Sequence, residues 1–133
     1  MNTLNLETAT RLIAAGQKAA AGIGVAMNIA IVDTAGNPIA FHRMDGAWLG
    51  SIDLALKKAK TSALFPLPTA TLGTMSQPGG PIFGIEGTND GLVTFGGGLP
   101  LTAGDGTVIG AVGVSGGMVD QDVAVAEAIV EAL

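Results

Sequence analysis

The chain contains no cysteine and no tyrosine. Without cysteine it can form no disulfide, zinc–thiolate site, iron–sulfur cluster or thiol nucleophile, and it suits a reducing compartment such as the cytoplasm. Without tyrosine it has no phenolate to serve as an acid or as a haem ligand. Charge is also scarce, at 13% of residues. All six basic residues fall in the first sixty positions, beside four acids, and the remaining 73 positions carry seven acids and no base. A basic stripe able to follow a phosphate backbone is therefore missing, which excludes nucleic acid as an expected partner. Asn28, Asp33 and the glycines interrupt every apolar run before it reaches membrane-spanning length. The first thirty residues lack the charged, apolar and cleavage regions of a signal peptide. The expectation is a cytoplasmic protein that does not enter a membrane.

What the chain does have is apolar bulk: 48% hydrophobic residues in 133 positions. That is too apolar for disorder and fits one domain over residues 1–133. It also exceeds what one small subunit can bury, so a homo-oligomer is expected. Residues 6–21 read as an amphipathic helix capped by Asn5, with Leu6, Ala9, Ile13 and Ala20 inward. Residues 25–33 and 39–44 read as strands of a hairpin turned by "TAGNP". A second helix starts near Ser51, with Ile52, Leu56, Ala59 and Ala63 inward and Lys57, Lys58 and Lys60 on its solvated faces. Pro66 and Pro68 end it, and Thr69 opens a short turn. Residues 76–91 show no pattern. Strands are expected at 92–95, 99–103 and 107–115, the last apolar on both faces as a covered central strand should be. A final helix spans 119–132, with Val119, Val123, Ala126 and Val130 on one stripe. The order implies an α+β domain around a mostly antiparallel sheet.

Two kinds of segment carry candidate chemistry. "FGGGLP" and "VGVSGG" either aim backbone N–H groups at an anion or let elements pack closely, and spacing alone does not separate these. In "FHRMDGAW", Arg43 alternates with Phe41 and Ile39 and so shares their face. It needs Asp45, Asp53 or a bound carboxylate as partner. The single histidine, His42, points the other way and has no second ligand nearby, so no protein-built metal site is expected. No G-x-S-x-G elbow surrounds Ser51 or Ser115, which argues against a serine hydrolase.

Taken together, "VAMNIAIVDTAGNPIAFHRMDGA", "KKAKTSALFPLPT" and "GGGLPLTAGDGTVIGAVGVSGGMVDQDVAVAEA" resemble the GlcG/HbpS-like haem-binding family, whose relatives include the C-terminal domain of PduO-type proteins. The resemblance spans nearly the whole chain except residues 76–91. It implies a profilin-like fold, with a five-stranded antiparallel sheet flanked by helices, in dimers to octamers. Motif positions carried over include Arg43, Asp45, Lys60, Gly97, Gly98, Ser115, Gly116, Gly117 and Asp122; His42 is not among them. Haem is the cofactor the resemblance implies, held at a pocket or subunit interface, its propionates on Arg43 or Lys60. The alternative is a cofactor-free enzyme of tautomerase, deaminase or hydrolase type acting on a small carboxylated catabolic intermediate. There Arg43 would anchor the carboxylate, with Gly97, Gly98, Ser115, Gly116 and Gly117 as ligand-binding and oxyanion groups. Asp45, Asp122, Glu86 or Lys60 would move the proton.

Overall fold

A computed structural model describes residues 3–133. Helix α1 (Leu6–Gly22) begins at Asn5, whose side chain accepts the Thr8 N–H at 2.8 Å. Strands β1 (Asn28–Val32) and β2 (Pro38–Arg43) form the expected hairpin. Its turn is built on Asp33, whose Oδ1 accepts N–H bonds from Ala35 and Asn37, each at 2.9 Å. Gly36 supplies the positive φ of 83° that the turn requires. Helices α2 (Gly50–Leu64) and α3 (Thr69–Met75) follow, and an irregular segment with a 3₁₀ turn at Ile85–Gly87 leads to β3 (Gly98–Thr102). The hairpin partner β4 (Val108–Ser115) and helix α4 (Val119–Glu131) complete the chain.

The sheet is antiparallel and four-stranded, in the order β2-β1-β4-β3. The fifth strand expected at 92–95 is absent. Leu92 and Val93 are buried there, but the Val93 N–H bonds the Thr61 hydroxyl of α2 at 3.0 Å instead of a neighbouring strand. The Thr94 carbonyl lies so close to Gly73 that a Cβ there would come within 2.0 Å of it. This segment is apolar because it is an inner lining between helices, not because it joins the sheet.

The two faces of the sheet are covered differently. Ile29, Ile31, Val112 and Val114 meet Leu12 and Ile13 of α1 and Val125 and Ile129 of α4 in the larger core. Burying each such side chain is worth about 1.5–3 kcal/mol. On the other face Ala30, Val32 and Ala111 meet Ala55, Ala59 and Ala63 of α2. These small residues let α2 lie almost on the sheet: a Cβ on Gly113 would sit 2.0 Å from the Ala55 carbonyl oxygen. Helix α1 buries Ala9, Ile13 and Ala20 as expected, whereas α2 and α4 turn inward faces partly rotated from those their large apolar residues indicate. Leu6 is exposed while Leu12 and Gly16 are buried, Val119 is half exposed while Asp122 and Ile129 are buried, and α2 buries Ser51, Ala55 and Lys58. Among the described residues no helix is long and apolar enough to cross a membrane.

Candidate functional site

The antiparallel topology brings the start of β1 and β3, the end of β2 and β4, and the first turns of α2 and α4 to one end of the sheet. Arg43, Asp45, Gly97, Gly98, Ser115, Gly116, Gly117 and Asp122 therefore converge there from distant parts of the sequence. Two polar arrangements share this end.

The first is closed. Lys58, expected on a solvated helix face, is completely buried. Its ammonium donates to the Val114 carbonyl at 2.9 Å and to Asp122 Oδ2 at 3.0 Å, and lies 5.1 Å from the centre of the Phe95 ring. The other carboxylate oxygen of Asp122 accepts the Gly117 N–H at 2.9 Å. One side chain of α2 thus ties together the end of β4, the first turn of α4 and the glycine turn between them. Gly97 makes the passage for it: at φ 126° its place would be strained for any other residue, and a Cβ would come within 2.7 Å of Lys58 Nζ. Burial pulls the Lys58 ammonium below the ordinary lysine value of 10.5, and the charge and hydrogen bond of Asp122 work against that shift. The missed signal was that Lys58 falls within the stripe of Ala55, Ala59 and Ser62 that α2 buries.

The glycine segments are likewise occupied from within. The Gly98 N–H bonds Thr69 Oγ1 at 2.9 Å, the Gly117 N–H bonds Asp122, and the Met118 N–H bonds Gln121 Oε1 at 2.9 Å. Cβ atoms on Gly98 or Gly116 would meet backbone oxygens at 2.5 and 2.6 Å. At Gly98 and Gly117 the geometry therefore supplies close packing, with the N–H groups bonded inside the chain.

The second arrangement is open. Arg43, Asn28 and Ser115 stand in register across β2, β1 and β4. Directly paired residues share a face, and Ala30 and Ala111 mark this as the one under α2. The Arg43 side chain is exposed and makes no hydrogen bond or ion pair among the described residues; the pair with Asp45 or Asp53 that the sequence offers is not formed. Asp53 is engaged instead with Lys57 at 3.1 Å, one helical turn along α2. Asn28 is completely buried; its Nδ2 donates to the Trp48 carbonyl at 3.0 Å while its Oδ1 has no partner. Leaving such an acceptor dry costs about 1–3 kcal/mol. Around the same end Trp48, Leu49, Phe95 and Met118 are exposed apolar side chains.

The remaining candidates belong to neither arrangement. Asp45 is exposed on the turn after β2, and Glu86 is exposed in the 3₁₀ turn. Lys60 packs over Gly36 of the β1–β2 turn and donates to the Asn89 carbonyl. His42 is exposed on the other face of β2, its Nδ1 3.0 Å from Gln17 Oε1 of α1. An open cavity of about 460 Å³ lies at the far end of the sheet, lined by Thr8, Arg11, Thr102 and Glu131 among others, remote from all of this.

Known proteins share this sequence pattern and this fold. Residues 4–131 match the family model described as haem degrading protein HbpS-like. The chain is 40% identical over 126 residues to a 15.0 kDa protein of the dhaT-dhaS intergenic region of Citrobacter freundii, covering 94% of this chain and 88% of that one. Its fold matches the crystal structure of Klebsiella pneumoniae ORFY with a TM-score of 0.93 and 38% identity, over 97% of this chain and 89% of that one. It matches a PduOC:haem complex with a TM-score of 0.92 and 36% identity, over 98% and 95% of the two chains. On a family match that runs through all its helices and strands, the chain belongs to the HbpS-like family.

Proposed function

We propose that this is a small cytoplasmic haem-binding protein that takes the macrocycle at the open end of the sheet, between copies of the chain. The observation that carries the reading is the ring of exposed apolar side chains, Trp48, Leu49, Phe95 and Met118, at the end where Arg43 stands unpaired. A porphyrin presents the complementary pattern, an apolar plate with anionic propionates. The described residues fit such a group: Met118 is 67% exposed and offers a thioether, a known haem ligand type, and Arg43 offers a cation to a propionate. His42 faces away from Arg43, so it is not assigned a ligand role. Haem would supply a redox-active iron; the chain would supply the apolar rim, the charge and the exclusion of water. A second copy against the ring would cover what one chain leaves exposed, in keeping with the homo-oligomer expected from composition.

The alternative, a cofactor-free enzyme acting on a small carboxylate, keeps Arg43 as anchor. It loses the Gly98 and Gly117 N–H groups, already bonded to Thr69 and Asp122, as oxyanion donors. Asp122 is likewise held by Lys58. Haemin titration followed at the Soret band separates the readings. Saturable, stoichiometric binding is expected, weakened by Arg43→Ala at unchanged melting temperature and unaffected by His42→Ala. A flat response, or loss of binding in His42→Ala alone, would sink this assignment.

A further inference from the structure

The unpaired oxygen of Asn28 points to a second kind of ligand. Its amide is fixed in orientation, because Nδ2 donates to the Trp48 carbonyl and turning it round would set two acceptors against each other. The same carbonyl accepts the Ser51 N–H at 3.1 Å, so the amide lies at the first turn of α2. Oδ1 is thus a buried acceptor facing no donor, at the start of a 15-residue helix that no side chain caps. The Ser51 and Ile52 N–H groups there are already bonded to the Trp48 and Leu49 carbonyls, so what this helix end offers an anion is its dipole. On either side in register stand Arg43 and Ser115, at roughly 4.5–5.5 Å between paired Cα atoms of antiparallel strands. The Ser115 and Ser51 hydroxyls, both largely buried, also have no hydrogen bond among the described residues.

These groups call for one small molecule that presents an anion beside a donor. We propose that the Arg43–Asn28–Ser115 row is a subsite for a small carboxylate carrying a hydroxyl or amino group on the adjacent carbon. Arg43 takes the carboxylate, favoured by the dipole of α2, Asn28 Oδ1 accepts from the ligand's O–H or N–H, and the Ser51 and Ser115 hydroxyls complete the pairing. Of the nearby carboxylates, Asp53 in the first turn of α2 is neutralised by Lys57, and Asp45 is exposed two residues after Arg43. This goes beyond the haem reading and does not depend on it: the two share Arg43, whereas Asn28 belongs to this subsite alone.

The test is calorimetric titration of haem-free protein with lactate, glycerate, alanine and serine. Propionate, which has the charge without the donor, and lactamide, which has the donor without the charge, serve as controls. At least one of the four probes is expected to bind saturably, with both controls weaker by about tenfold or more because each leaves one buried or charged group unpaired. Arg43→Gln and Asn28→Ala should weaken the probe similarly, and Asn28→Ala should leave haemin binding unchanged. Should Asn28→Ala fail to fold, Arg43→Gln at its exposed position still reads the subsite. No binding by any probe, propionate binding as well as lactate, or binding unchanged in the folded variants would overturn the proposal. In that case a bridging water alone satisfies Asn28. Because haemin is titrated in parallel, the haem reading and this one can fail separately.

Discussion

Two cationic side chains sit at the same end of one sheet and have opposite surroundings. Lys58 is buried, bonded to a carbonyl and a carboxylate, and covered by an aromatic ring. Arg43 is exposed and has no partner, beside a buried asparagine oxygen that has none either. Both lie at the end of the sheet where the glycine segments gather, so place in the fold does not distinguish them. Satisfaction does. A polar group whose bonds are all made within the chain has no capacity left for a ligand, whereas groups left open in a row are where a ligand gains most. The Lys58–Asp122 pair therefore holds the end of the sheet in shape, and the Arg43 row is what that shape presents.

The contrast breaks most sharply at Asp122. In Asp122→Ala, Lys58 is left buried without its carboxylate and the Gly117 N–H loses its acceptor, so stability should fall by about 3 kcal/mol or more. The double variant Lys58→Met, Asp122→Leu should recover most of that loss, because removing both charges also removes their desolvation cost. Urea denaturation of the three proteins checks it; a double variant as unstable as the single one would show that the pair does more than match charge. A smaller effect is expected at Gly97→Ala. The methyl group would press on Lys58 Nζ and on the Val114 carbonyl oxygen while holding an unfavourable positive φ, for about 1–3 kcal/mol. The same substitution at Gly46, which also has a positive φ but open space around it, should cost less, about 1 kcal/mol.

Much of the fold was legible because its signals are local. Asn5 before an apolar period, the Asp33–Asn37 turn and the continuous apolar run of β4 each specify their structure within a few residues. Helix orientation was harder to read. Stripes drawn through the largest apolar residues, such as Val119 and Val123 in α4 or Ile52 and Leu56 in α2, are rotated from the faces actually buried. Small residues and a neutralised charge pair hold those faces, and neither registers as hydrophobic. The segment 92–95 failed for a related reason: four apolar or β-branched residues mark burial, not pairing. At the site, Arg43, Ser115 and the glycines were visible as types. Asn28 and Lys58 were not, since what marks them is the partner each has or lacks across the fold.

The smallest expected effect concerns protons. Burial lowers the Lys58 value in the folded chain, so as pH rises the native state releases this proton while the unfolded chain holds it until about 10.5. Over that interval the unfolded state binds more protons, and stability from this group must increase with pH. Below the folded-state value both forms are protonated and the contribution is constant. The other five basic residues are common to the wild type and the Lys58→Met, Asp122→Leu double variant, so their titrations cancel in the difference. The stability of the wild type relative to that variant should therefore climb through the alkaline range and level off near 10.5, measured by urea denaturation at successive pH values. A flat difference would mean that Asp122 fully compensates the burial, and a falling one that the ammonium is better stabilised inside the protein than in water. Either result would reverse the assigned cause, and with it the view of Lys58 as a charge held at a cost to keep the glycine turn in place.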